Sequence, residues 1–382
     1  MSKCPRCFVP LPPDVWAFTE TEPALPDIDD VASAYLGHPV QMGPVNVIQT
    51  APGAAPTQEQ ACAGLGSEQV REVCPTCHYP LPLHLRSGQN ICIAMAGARF
   101  TGKTVYIAVL VKLLERLLQT YNQELTFATP ETAKRYRYFY EKPLFEERGL
   151  IEPTAGILTA ESYQHHPLVF NIGRWHGIPR YLSIRDVAGE DLERPDIAGV
   201  PWKFFSVADA VLFLFDPMRV QEIREQLRDL VPTDHSTGGD PREVLRTVMR
   251  LIGNGDPKLA IILSKFDALQ ALRRVTSSWW GQVMTHAGAA FSRDPGLVGA
   301  KYDQVDGLSL HIEVKSLLEK LDAGSTLLNV TDPINGRSFD HRFFAVSALG
   351  DSPQGSRLSH NGISPFRCGD PVRWVLAEQQ IL

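Results

Sequence analysis

The chain of 382 residues has no apolar run approaching the roughly 20 residues that span a bilayer as a helix. Its longest apolar run, around Val211 to Phe215, has the length of a buried strand. The N-terminus, Met1-Ser2-Lys3-Cys4-Pro5-Arg6-Cys7, lacks the apolar core of a signal peptide, so a cytoplasmic protein is expected. Neither sign of charge dominates: 37 Lys and Arg face 43 Asp and Glu, a net charge of −6. That balance argues against a general nucleic-acid or membrane-surface binder. Cysteine is sparse, with seven in the chain. In a reducing compartment paired cysteines point to metal rather than to disulfides.

Four of the seven form two similar knuckles, Cys4-Pro-Arg-Cys7-Phe-Val-Pro-Leu-Pro and Cys74-Pro-Thr-Cys77-His-Tyr-Pro-Leu-Pro. A C-x-x-C turn presents two thiolates to one tetrahedral ion, so Cys4, Cys7, Cys74 and Cys77 are the expected zinc ligands. His78 and Cys62 stand as substitute ligands, and Cys92 reads as a core residue. Such a closed site is structural or supports partner contact. The stretch between the knuckles, Pro/Ala/Gly/Gln-rich from Gly43 to Gly66, reads as a loop or partly disordered insertion.

The segment Gly97-Ala98-Arg99-Phe100-Thr101-Gly102-Lys103-Thr104 fits G-x-x-x-x-G-K-[ST] at every fixed position. An apolar strand, Ile91 to Ala96, precedes it, and a helix with Ile107, Leu110, Val111, Leu114, Leu117 and Leu118 on one face follows. Backbone N–H groups, the helix dipole and the Lys103 ammonium together make a phosphate site, with the Thr104 hydroxyl on magnesium. A nucleoside triphosphate is the expected ligand.

Four further segments follow in order. Thr154, in Glu152-Pro153-Thr154-Ala155-Gly156, suits a loop closing on magnesium and γ-phosphate, with Thr129 and Thr159 as alternatives. The strand Tyr181 to Arg185 runs into Asp186-Val187-Ala188-Gly189: the carboxylate can hold magnesium through a water, and Gly189 can bring its N–H to the γ-phosphate. A hairpin at Trp175 to Pro179 makes this strand one of an antiparallel pair. Val211 to Phe215 is a central strand, with Asp216 a cap or turn residue. Leu259 to Leu263 enters Ser264-Lys265-Phe266-Asp267, and Phe343 to Val346 enters Ser347-Ala348-Leu349.

These five blocks resemble the motif series of the translation-factor-related P-loop GTPase superfamily. The resemblance implies that Asp267 takes the guanine N–H donors, that the Lys265 stem packs on the base, and that Ser347, Ala348 and Leu349 form the base loop. With the paired knuckles and the segment Pro365 to Leu376, the chain resembles more closely the bacterial double-GTPase family of GTPase-associated conflict systems. That implies GTP hydrolysis and protein partners encoded nearby. Two departures stand out: Arg99 lies inside the phosphate loop, and Glu190 follows Gly189 where Ras-like proteins carry a water-orienting glutamine. A carboxylate there is repelled by γ-phosphate, so slow intrinsic hydrolysis is expected.

The expected architecture is a three-layer α/β P-loop GTPase domain at 89–382, its sheet mostly parallel with one antiparallel edge strand. A split Cys4 zinc-ribbon-like module at 1–88 precedes it. Expected cofactors are GTP or GDP, magnesium and zinc; nucleic acid and membrane are not expected partners. A GTP-binding scaffold with little turnover is the competing reading. A nucleic-acid-binding ATPase with a zinc ribbon is a third, opposed by the acidic balance and by Asp267. Asp370 reads as the N-cap of a closing helix, Trp279 and Trp280 as buried, and Glu131 to Gly149 as helical, its Glu131 to Tyr140 part aromatic and basic.

Overall fold

The computed structural model describes residues 2–151, 166–194, 197–228, 238–274, 279–297, 301–332, 336–351 and 357–382. Its strands are β1 Val15–Glu20, β2 Asp27–Ile28, β3 Gln41–Met42, β4 Val45–Gln49, β5 Val70–Val73, β6 Gln89–Ala96, β7 Thr126–Phe127, β8 Leu168–Trp175, β9 Ile178–Asp186, β10 Ala210–Phe215, β11 Lys258–Leu263 and β12 His341–Ala345. Seven of them form one sheet in the order β12-β11-β10-β6-β9-β8-β7. β12, β11, β10, β6 and β9 are mutually parallel, and β8 runs antiparallel to β9.

All six residues of β10 are buried, as are five of the six in β11. Successive strand residues face opposite sides, so the sheet is covered on both faces and forms the middle of three layers. This is why these strands read as continuous apolar runs. The hairpin between β8 and β9 turns at His176 and Gly177, both at positive φ, in keeping with a tight two-residue turn.

The segment between the knuckles is not a loop. β4, β1 and β5 form an antiparallel three-stranded sheet, and the helix Gln58–Cys62 carries a full capping box from Thr57 and Gln60. Val45, Val47 and Ile48 supply β-propensity that the surrounding Pro and Gly mask in a compositional reading. The knuckles repeat each other in structure: Phe8 and His78 both adopt positive φ, and their N–H groups donate to the Cys4 and Cys74 carbonyls at 3.0 and 2.8 Å.

The first knuckle packs into the core of the parallel sheet. Phe8 is fully buried, edge-on to Phe204 at 5.5 Å between centroids. Lys3 Nζ reaches Asp209 Oδ1 at 2.7 Å, and Arg185 donates to the Arg6 carbonyl at 2.7 Å.

Other local expectations change. Pro130–Arg135 is α-helical, but Tyr136–Glu146 winds as a π-helix with Pro143 inside it. Proline removes an i→i−4 bond, and the wider turn accommodates it. Trp279 is 46 % exposed rather than buried. Asp370 is the first residue of the helix Asp370–Glu378 rather than its cap, and pairs with the buried Arg367 at 2.6 Å. Among the described residues no helix is long and apolar enough to cross a membrane.

Because Phe8 belongs to the main core, Phe8→Ala should cost about 3 kcal/mol. A lower urea midpoint with unchanged slope is the expected reading; a loss below about 0.5 kcal/mol would detach the knuckle from that core.

Candidate nucleotide and metal sites

Five parallel strands end on one edge, and the described motifs at 97–104, 186–189, 264–267 and 347–349 each lie at a strand end. β6 delivers the phosphate loop Gly97 to Thr104, and the helix Lys103–Gln119 starts inside it. Gly97 has φ +142, and a Cβ there would lie 2.1 Å from the Leu214 carbonyl oxygen, so only glycine lets the loop pass β10. Thr101 Oγ1 donates to the Ala98 carbonyl at 3.0 Å. Lys103 Nζ donates to the carbonyls of Gly97 at 2.7 Å and Ala98 at 3.0 Å. Burial pulls the Lys103 ammonium down to about 8, against the opposing pull of Asp186 and Glu193. Thr104 is buried beside it, Gly102 is in the left-handed region, and the Phe100 ring is 38 % exposed.

Asp186 ends β9 in register with Met95, two residues before the loop, and is 5 % exposed. Gly189 opens a one-turn helix, Gly189–Leu192, pressed against the loop. A Cβ on Gly189 would lie 2.3 Å from Arg99 N and 2.5 Å from Ala98 C. The two departures meet: Arg99 Nη2 and Glu190 Oε2 are 3.5 Å apart, both side chains about two-fifths exposed. Glu190 is therefore turned toward Arg99.

At the base end, Ser264 Oγ donates to the Phe215 carbonyl at 2.9 Å. Lys265, at φ +50, pairs with Asp216 Oδ2 at 2.9 Å, while Asp216 Oδ1 caps Met218 N–H. The Ser347 hydroxyl donates to Asp267 Oδ1 at 2.5 Å and accepts the Gly350 N–H at 2.9 Å. That holds one carboxylate oxygen of Asp267 in place. Ala348 and Leu349 continue the loop, half-buried. Thr154 and Thr159 lie outside the described residues, and Thr129 is occupied as the cap of the helix Pro130–Arg135.

The Cys4, Cys7, Cys74 and Cys77 sulfurs lie within 4.8 Å of one another and are all buried. Cys4–Cys77 is 3.6 Å and Cys7–Cys74 3.8 Å, close to the roughly 3.8 Å between sulfurs of a tetrahedral zinc thiolate site. The Arg6 and Thr76 amides each point at a knuckle sulfur at 3.4 Å. Burial pushes the Cys4 thiol well up. In Cys77 burial is overcome by hydrogen bonds from the other three cysteines and by the Arg6 charge, which take it well down. Four dry thiols with donors aimed at sulfur fit zinc. The substitute ligands are elsewhere: His78 Nδ1 is 2.7 Å from Asp29 Oδ2, and Cys62 is half-exposed.

No protein-family model matches the chain. A curated relative from Mycolicibacterium smegmatis, named "Putative ESX-1 scaffolding and assembly protein SaeC", is 49% identical over 380 residues, 98% of this chain and 98% of its own. The chain belongs to the SaeC family. Among solved structures, it is similar to the S. cerevisiae Ski7 GTPase-like domain bound to GDP and inorganic phosphate, at TM-score 0.30 and 12% identity over 77% of this chain. It is also similar to Sup35 complexed with GDP, at TM-score 0.26 and 13% identity over 72% of this chain. This SaeC-family chain covers 50% and 41% of those two chains. At such scores the fold class rests on the sheet order and strand-end motifs themselves.

One residue escapes sequence reasoning. Glu193, four residues beyond Gly189, places Oε1 2.9 Å from Arg99 N and 3.0 Å from Gly239 N, accepting both. An acid one turn after D-x-x-G was its signal, but Gly239 is 46 residues away.

Metal analysis of this SaeC-family chain, purified under reducing conditions, should return about one zinc per chain, and Cys77→Ser should lose it. Gly189→Ala should push the helix Gly189–Leu192 off the loop, raising amide exchange at residues 98–99.

Proposed function

We propose that the chain binds guanine nucleotide at the carboxyl edge of its sheet and uses the bound state to organise protein partners. The observation that carries this reading is the base loop. Asp267, braced by Ser347 at 2.5 Å, stands at the end of β11 on the edge where β6 delivers the phosphate loop. A carboxylate there accepts two N–H donors from guanine and repels the acceptor that adenine presents.

Within that reading, Gly97 to Thr104 cradle the phosphates and Lys103 supplies the positive charge. Thr104 and Asp186, with Thr154, would hold magnesium, which would supply charge neutralisation to the phosphates. Gly189 would offer its N–H to the terminal phosphate. Hydrolysis to GDP and phosphate belongs to the same reading, as a slow reaction. Glu190 is turned to Arg99 at 3.5 Å, so the position that commonly orients water is engaged elsewhere. A partner-supplied cation would then speed turnover.

The relative's name, scaffolding and assembly protein, favours the second reading of a GTP-binding scaffold with little turnover. It offers no support to a conflict-system role, which rests on the motif resemblance alone. Zinc at the four cysteines would fix the module and help present it to partners.

Displacement of a labelled nucleotide should favour GTP over ATP by at least about a hundredfold, and Asp267→Ala should erase most of that preference. ATP displacing better than GTP would overturn the guanine assignment. Single-turnover phosphate release at stoichiometric protein separates the two readings: release abolished by Lys103→Ala supports hydrolysis, and no release from the unmodified chain supports the scaffold.

A further inference from the structure

The start of the phosphate loop is already in contact with an anion, and it comes from the chain itself. Glu193 Oε1 accepts the Arg99 N–H at 2.9 Å and the Gly239 N–H at 3.0 Å. Two backbone donors on one carboxylate oxygen make a charge-assisted contact of the kind that a phosphate oxygen makes in such loops.

Two independent observations identify which phosphate this carboxylate stands in for. Lys103, whose ammonium serves the outer phosphates in loops of this pattern, lies on the Gly97 and Ala98 carbonyls, next to Arg99. Gly189, on the element that senses the terminal phosphate, packs against the Ala98 and Arg99 backbone. The Arg99 N–H thus belongs to the outer end of the loop, away from the helix start at Lys103 that receives the inner phosphates.

We propose that Glu193 is an internal occupant of the terminal-phosphate position, and that it makes this site discriminate between nucleoside diphosphate and triphosphate. The inference rests on the nucleotide reading above. A diphosphate fills the inner end with Glu193 in place. A triphosphate brings a second anion to the Arg99 N–H and must expel the carboxylate. Expulsion removes the acceptor of Gly239 N–H as well, and Gly239 immediately precedes Asp240, the cap of the helix Pro241–Ile252. Terminal-phosphate occupancy therefore frees two contacts together: the one from Glu193, just past the turn Gly189–Leu192, to the loop, and the one to Gly239 beside the cap of that helix.

The test compares GTP and GDP affinity, by competition against a fluorescent nucleotide, in the unmodified chain and in Glu193→Gln. The neutral amide keeps the shape and removes the competing charge. GTP affinity should rise about tenfold while GDP affinity stays within about twofold. An equal gain for both nucleotides, or none for either, overturns the proposal. A misfolded variant cannot mimic a selective gain. In nucleotide-free protein, Glu193→Ala should speed amide exchange of Arg99 and Gly239 about tenfold, and unchanged exchange overturns the contact itself. If the unmodified chain and the variant bind neither nucleotide at millimolar concentration, the nucleotide reading falls and the discrimination with it, while the exchange result still decides the Glu193 contact.

Discussion

Parallel strand pairing is the constraint on which the rest depends. β12, β11, β10, β6 and β9 hydrogen-bond side by side and run the same way, so their carboxyl ends share one edge. Residues 97 to 104, 186, 216, 264 to 267 and 347 are far apart in sequence, and this pairing alone gathers them. Register refines the gathering: Met95 opposite Asp186 sets the acid beside the loop's first glycine. Both sheet faces are sealed by packing, leaving the edge as the place where backbone N–H groups and carboxylates can meet a ligand.

The cysteine module is built into this arrangement rather than appended to it. Arg6 and Phe8 flank Cys7 and reach the residues bracketing the Gly189 segment: Arg185 at its entrance donates to the Arg6 carbonyl, and Phe204 at its exit packs on Phe8. The Arg185 guanidinium also lies 3.8 Å from the Phe204 ring centroid, closing the two ends on one another. Burial lowers the Arg185 pKa to about 10. The carbonyl and the ring offset part of that desolvation cost. A metal held by Cys4 and Cys7 would thus tie the first knuckle to both Arg185 and Phe204.

What the sequence made legible was what is local. The phosphate loop, the hairpin at His176 and Gly177, and the buried strands follow from spacing and periodicity within a dozen residues. The two knuckles were legible because they repeat. The β1-β4-β5 sheet was hidden because proline, glycine and alanine dominate composition, whereas three short stretches with alternating β-branched or aromatic residues suffice once they pair with one another. Glu193 was hidden for a different reason: its role is set by Arg99, 94 residues earlier, and Gly239, 46 later, and no periodicity encodes such contacts. Asp370 reads as a cap in sequence because a capping pattern and a buried ion pair use the same residue type, and only the position of Arg367 separates them.

The same long-range geometry alters the weight of the sequence's departures. Arg99 and Glu190 each look disruptive beside a phosphate, yet they face one another at the surface, where such a pair is worth at most about 1 kcal/mol. Exchanging that partner for a phosphate costs little, so neither residue bars a triphosphate. Glu193 differs, because it accepts backbone N–H groups, one in the loop and one at Gly239. Its carboxylate is anchored at once to the loop and to the approach to the helix Pro241–Ile252, so displacing it changes two contacts rather than one. On the proposed reading, the acid that meets an incoming terminal phosphate lies outside every recognised motif, while the acid inside one, Glu190, faces Arg99.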